Sequence, residues 1–365
     1  MQRFLILMGV CLWVVSSHHS YAATVFEEAQ EAAQAGRYRD VIDLLTKELE
    51  AGELSGDQLV TAYANRGIAY SLLKAYGLAK YDLRQAELLK PTHALTLNHL
   101  GLLSEQVDEN YSDARSYYEK AVVQNFAASQ VNLANIYYEG LGTEPDFKKA
   151  FELYQSAAVQ NYSMALTPLG VMYAEGKGTK RNTKKAFELF IKASDAGVAA
   201  AHYQLALAYQ LGRGTRRDLD LAVNNLRIAA MQGHGEAQNT LGYMYRKGRG
   251  VKQDYLEAAT WYQLASEQGN AGAKNRLAWL LAGCPTERLC NGELAVQLAN
   301  EAIEIDSDPG FVDSLAAAYA RTGQFDLAIR TLEELLVGLP AGSPNAASYK
   351  RRMAIYSKGI PLQLK

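Results

Sequence analysis

Cysteine is scarce in this 365-residue chain: Cys11 stands alone near the start, and Cys284 and Cys290 share one short stretch. Two cysteines without histidines beside them supply too few ligands for a zinc site. Eight prolines against 29 glycines exclude a collagen-like or proline-rich chain. No charge of one sign dominates, since 37 basic residues face 39 acidic ones. That balance leaves no electrostatic footprint for nucleic acid, and no nucleic-acid partner is expected. No apolar run reaches the roughly 20 residues that a spanning helix needs, so a membrane-spanning protein is not expected. Catalytic signatures are also missing: Gly-x-x-x-x-Gly-Lys-Ser/Thr, His-Glu-x-x-His and Gly-x-Ser-x-Gly do not occur. No enzyme activity, cofactor or metal is therefore expected. What remains is 48% hydrophobic residues, ample for a packed core.

The longest apolar run covers residues 4–15, after Arg3 and before the small residues Ser20 and Ala22. This pattern reads as a secretory signal peptide over residues 1–22, cleaved after Ala22, which places the mature protein in the periplasm or outside the cell. A buried N-terminal helix is the alternative. Cleavage removes Cys11 and leaves Cys284 and Cys290 as a pair in an oxidising compartment. A disulfide between them would close a short loop and stabilise by about 2 kcal/mol on the chain-entropy estimate. Two free thiols are the alternative.

The chain repeats itself. Leu133, Leu169, Leu205, Leu241 and Leu277 recur every 36 residues. So do Tyr137, Tyr173, Tyr209 and Tyr245, the pairs beginning at Gly140, Gly176, Gly212 and Gly248, and the alanines from Ala150 and Ala157 onward. Each unit reads as two helices. Leu and Tyr at i and i+4 form an apolar stripe on the first. The glycines end it, because they tolerate the left-handed backbone of a helix stop. Asp146, Asn182, Asp218 or Asp254 then caps the second. A lone helix pair cannot bury its stripe, so the pairs must stack.

The run LGYMYRKGRGVKQDYLEAATWYQLA, residues 241–265, resembles the Sel-one-like repeat, a branch of the tetratricopeptide superfamily. The copies before it are looser, with Ala134 and Ala206 where the family has glycine and Thr143, Thr179 and Thr215 where it has valine. The flanks resemble ordinary tetratricopeptide repeats: Gly67, Tyr70, Ala79, Leu83, Ala86 and Pro91 fit that spacing, as do Leu315, Tyr319, Gly323, Phe325 and Ala328. The resemblance implies an all-α fold, an α-solenoid of stacked antiparallel helix pairs wound as a right-handed superhelix. About nine pairs are expected. Residues 23–125 would hold tetratricopeptide-like repeats, 126–269 four Sel-one-like repeats, 270–342 a further set carrying the cysteine loop, and 343–365 a capping helix and tail.

The loop after Tyr245 looks at first like a phosphate cradle, with basic residues around two glycines. It lacks a preceding strand and a Gly-Lys-Ser/Thr, and it recurs four times, so it reads as a repeat turn. His93, His99, His202 and His234 read as core or surface residues, not ligands. Most of the 23 tyrosines fall on consensus core positions, among them Tyr154 and Tyr262. If Leu133 and Tyr137 face the core, the residues two after the Leu and one after the Tyr line a concave face. That set is Asn135, Tyr138, Val171, Leu207, Gln210, Tyr243, Arg246 and Trp279, extended by Asn98, Leu102 and Glu105. Its mixture of aromatic, aliphatic and amide groups suits an extended peptide or a partner helix. A basic edge is expected from the loops: Lys177, Lys180, Arg181, Lys184 and Lys185, then Arg213, Arg216 and Arg217, then Lys247, Arg249 and Lys252. Such a stripe would steer an acidic protein, an anionic surface or a polysaccharide.

These features describe a non-catalytic scaffold of the periplasm or cell envelope that binds an envelope protein or peptide. Sel-one-like relatives imply roles in envelope assembly, motility, signalling or host contact, and also in exopolysaccharide export, which often goes with a lipid anchor. Hydrolysis of β-lactams is a third reading. The relatives linked to it carry a cysteine pair in each repeat, and this chain does not. The cysteine reading has a direct check: alkylation of the denatured chain from residue 23 onward should count no free thiols before reduction and two after it. Two before reduction would exclude the disulfide.

Overall fold

The computed structural model describes residues 21–339 and 343–364. The expected signal peptide lies outside them except for its last two residues. The chain forms two compact units, divided between Leu189 and Phe190. In the first, α1 (Tyr21–Gln34) pairs with α2 (Tyr38–Ala51), α3 (Gly56–Leu72) with α4 (Tyr76–Leu89), α5 (Ala94–Gln106) with α6 (Tyr111–Val122), and α7 (Ala127–Glu139) with α8 (Phe147–Val159). Next come α9 (Leu166–Glu175) and α10 (Thr183–Asp195), within which the division falls. In the second unit α11 (Ala199–Leu211) pairs with α12 (Leu219–Met231), α13 (Gly235–Lys247) with α14 (Tyr255–Glu267), α15 (Ala271–Gly283) with α16 (Gly292–Ile305), and α17 (Pro309–Arg321) with α18 (Phe325–Val337). The last helix, α19 (Pro344–Tyr356), packs on α18. The described residues contain no strand. Among the described residues these eight pairs, α9 and α10, and a final helix follow the expected all-α solenoid order.

The loops explain why the helices stop and restart where they do. Gly140, Gly176, Gly212 and Gly248 all take the left-handed conformation at the end of the first helix of their pair. The following N–H then reaches back to the carbonyl five residues earlier, as Arg249 does to Met244 at 3.0 Å. The cap residues close each loop from the other side. Asp146, Asn182, Asp218 and Asp254 donate their own N–H to Tyr137, Tyr173, Tyr209 and Tyr245. Their side chains accept from the first turn of the second helix. The second glycine is required by proximity as well as by its backbone. A Cβ on Gly178 would stand 2.1 Å from the Phe147 carbonyl oxygen of the preceding pair.

Packing follows the sequence columns. Leu133, Leu169, Leu205, Leu241 and Leu277 are all buried, as are Ala157, Ala193, Ala229 and Ala265. The tyrosines divide: Tyr154, Tyr173 and Tyr262 are buried, but Tyr137, Tyr209 and Tyr245 are only half-buried. Half-burial suits an amphipathic side chain, whose ring can cover apolar surface while its hydroxyl meets a polar group. Tyr137 donates to Glu119, and Tyr245 accepts from Arg227.

Two departures from periodicity shape the ends. In the first unit the Arg66 guanidinium makes a two-pronged pair with the buried Asp82 and also reaches Thr46. In the second, Cys284 occupies the register of the first loop glycine and takes its left-handed backbone, with φ +47°. Its sulfur meets that of Cys290, with the Cα atoms 4.5 Å apart. The tail returns to this loop. Leu364 donates to the Gly283 carbonyl at 2.7 Å, and Gln363 donates to that of Cys284.

His99 lies within the α5 core, and burial pushes its imidazole down to about 4. The unfolded chain binds that proton near pH 6.5, so stability should fall as pH drops from 6.5 to 4. The gap corresponds to roughly 3 kcal/mol. Urea midpoints at the two pH values should show a shallower decline in His99→Leu than in the native chain. Equal declines would contradict this role.

Candidate functional site

The residues expected to face a partner lie on the first helices of consecutive pairs. In the first unit most already have partners within the chain. Asn98 departs from the expectation: it is buried, and its carbonyl oxygen accepts from Ser129 and Asn132. The reason is register. Helix α5 starts 33 residues before α7, so Leu100 rather than Leu97 matches Leu133, and Asn98 turns toward the next helix. Leu102 is half-buried against the Tyr118 cluster. Glu105 and Asn135 each accept the hydroxyl proton of a tyrosine from the second helix of their own pair, Tyr118 and Tyr154. The Tyr138 ring meets Phe147 edge-on at 5.4 Å. Lys177 lies 4.9 Å over the Tyr138 ring and pairs with Glu175, which accepts the Tyr138 hydroxyl. Val171 is half-buried.

In the second unit Leu207, Gln210, Tyr243, Arg246 and Trp279 are all half-buried. Arg246 stacks on Tyr243, with its guanidinium carbon 5.5 Å from the ring centre. Trp279 is engaged by the C-terminal helix. Arg352 of α19 lies 5.3 Å from the Trp279 ring centre and equally close to that of Tyr349. Arg352 also pairs with Asp313, whose carboxyl is raised by burial and held back by that arginine. The capping helix thus takes part in the face that the sequence assigned to α15. The repeat pattern could not show this, because α19 follows no repeat.

The basic residues sit largely on the surface. In the first unit Lys180, Arg181, Lys184 and Lys185 are exposed, although Arg181 donates to the Ala174 carbonyl and Lys185 to the Tyr173 hydroxyl. In the second unit Arg213, Arg216 and Arg217 are exposed on one loop, and Lys247, Arg249 and Lys252 on the next. The histidines have local structural work. His234, for example, caps α13 by accepting from Ala237, and burial lowers its pKa. Among the described residues no group of three or more His, Cys, Asp and Glu could hold a metal ion. No described helix is long and apolar enough to cross a membrane.

Two groups beside Arg246 are outside the expected site: Arg276 has no sequence signal of its own, and Tyr262 is expected only as a core residue. Arg276 donates to Asn239 at 2.8 Å, and the Tyr262 side chain is fully buried between helices. Arg276 could have been found as the place where a fifth copy carries a cation after Asn132, Pro168, Gln204 and Thr240.

Comparison with known proteins agrees with this architecture. The Sel1 repeat family model matches residues 97–124, 127–162, 163–198, 199–234 and 235–270. The solved Sel1 repeat protein of Oxalobacter formigenes is 30% identical, with a TM-score of 0.55, over 66% of this chain and 96% of that one. The protective antigen c5321 of uropathogenic Escherichia coli, which displays an SLR fold, is 22% identical over 92% of this chain and 76% of its own, with a TM-score of 0.56. At that identity the likeness is one of fold. The lipoprotein NlpI homolog of Haemophilus influenzae is 31% identical over 99 residues, 26% of this chain, and the chain spans only 31% of its length. The repeats, their shared loop chemistry and these likenesses establish that the chain belongs to the Sel1 repeat family, a helical scaffold fold that typically serves protein–protein interaction.

Proposed function

We propose that the protein is a non-catalytic adaptor of the bacterial periplasm or cell envelope. It holds an extended peptide or helix of another envelope protein against the first helices of its repeats. The observation that carries this reading is the chemistry of that face in each unit. Tyr138 and its neighbours in one, and Gln210, Tyr243 and Arg246 in the other, combine half-buried aromatic surface with polar groups. Half-buried aromatics and arginine are the residue types that dominate binding energy at protein interfaces. Strands of a partner have no sheet edge to join here, so side-chain pockets along stacked helices must supply the contacts.

The exposed basic loops add steering rather than grip. Lys180, Arg181 and Lys184 in the first unit, and Arg213, Arg216, Arg217, Lys247, Arg249 and Lys252 in the second, favour an anionic partner surface. The same loops support a second reading, a scaffold for anionic exopolysaccharide. In either case raising the salt concentration should slow association.

The test is affinity capture from an envelope extract, comparing the native chain with a Tyr138→Ala, Tyr243→Ala double variant. Losing two interface aromatics should weaken retention of the captured protein about tenfold or more. Thermal unfolding should change little, since both rings are half-buried. Equal capture by the double variant would overturn the assignment of this face.

A further inference from the structure

One hydroxyl near this face is left without an acceptor. The second helices of the pairs carry a buried residue at one register position: Tyr118, Tyr154, Phe190, Leu226 and Tyr262. Wherever the first two of these place a hydroxyl, the first helix of the same pair supplies an acceptor. Tyr118 donates to Glu105, and Tyr154 donates to Asn135. The next two pairs carry Phe190 and Leu226 there, which have no hydroxyl to satisfy. Tyr262 breaks this rule. The places of Asn135 and Glu105 are taken by Tyr243 and Arg246, and the proton of the buried Tyr262 hydroxyl has no acceptor among the described residues.

Arginine cannot repair this, because a guanidinium only donates. Indeed the Arg246 Nε–H is itself buried and unpartnered. A further cation lies within reach. Burial raises the Tyr262 phenol, and the charges of Arg246 and Arg276, with a hydrogen bond from Arg246 to the phenol oxygen, oppose that rise. The ion pairs of this unit join Lys274 to Glu301 and Arg352 to Asp313. Neither Arg246 nor Arg276 belongs to an ion pair among the described residues. Leaving the Tyr262 proton and the Arg246 Nε–H unmet costs free energy, and a shared anionic acceptor would recover it.

We propose that Tyr262, Arg246 and Arg276 form a pocket for one carboxylate, the Asp or Glu side chain of an acidic segment in the docked partner. Two donors of different shape converge there, the Tyr262 hydroxyl and the Arg246 Nε–H, with Arg276 supplying a second positive charge. Both donor atoms are shielded from solvent, so Arg246 swings aside on its flexible stem as the carboxylate enters. The stack on Tyr243 and the hydrogen bond to Tyr262 restrain that motion. Gly242 makes room for the arrangement, since a Cβ there would stand 2.8 Å from the Tyr262 ring. The inference rests on the reading of this face as a peptide-binding surface and names the chemistry of what it binds.

The probe is glutarate, titrated into full-length protein while the arginine Nε–H resonances are followed by NMR. The Arg246 signal is identified by its loss in Arg246→Lys. Glutarate should shift that signal saturably, and sulfate at matched ionic strength should shift it far less. Tyr262→Phe should weaken glutarate binding about fivefold or more while unfolding at no lower denaturant concentration, because it removes an unmet buried hydroxyl. Tyr154→Phe should do the opposite, lowering stability and leaving glutarate binding intact. Three results would each overturn the pocket: no saturable shift, an equal response to sulfate, or unchanged affinity in Tyr262→Phe. Because glutarate needs no partner protein, such a failure is distinct from unchanged capture by the Tyr138→Ala, Tyr243→Ala variant, which would overturn the docking face itself.

Discussion

Four of the repeats depend on a turn that reverses the chain in a few residues and ties its backbone to both helices it joins. Two left-handed glycines make it possible. The first stops the helix, and the second lets the loop press on the start of the preceding pair's second helix, as Gly178 does on Phe147. A side chain at either position would strain the backbone, and at Gly178 it would also collide with a carbonyl. The capping carboxylate or amide then restarts the helix. With the turn fixed, the Leu and Ala columns of neighbouring helices meet without further instruction, and stability builds from one pair to the next.

The same regularity sets where function can reside. Core columns repeat because every pair must solve the same packing problem. Positions facing away from the core carry no such demand, and there the pairs differ. Glu105, Tyr138, Gln210 and Arg246 occupy one register position with four different chemistries. The change from Glu105 to Arg246 reverses the charge beside a conserved shape, a buried tyrosine standing behind a glycine: Gly101 with Tyr118, and Gly242 with Tyr262. One pair satisfies its tyrosine internally, while the other gives its tyrosine proton no acceptor among the described residues.

Much of the fold was legible in the sequence, because the repeat signals are local. The loop glycines, the caps and the buried leucines all follow from spacing and residue type. The failures share a cause in contacts that the period does not govern. Asn98 departs from its expected place because α5 starts 33 residues before α7 instead of 36. The half-burial of Tyr137 and Tyr245 depends on where their hydroxyls find Glu119 and Arg227. Trp279 was read as open surface, yet Arg352 arrives over it from a helix that repeats nothing. The Tyr262 site was hidden for a different reason. A missing acceptor becomes visible only when the equivalent hydroxyls of other pairs are seen to have one.

The central claim is that a partner lies along the first helices of the repeats, not along the second. Photocrosslinking in cells that make the protein tests it most directly. A photoreactive residue would replace Gln210 on α11 in one strain and the exposed Gln263 on α14 in another. The account predicts a protein adduct at position 210 and none at position 263. An adduct at 263 with none at 210 would contradict it.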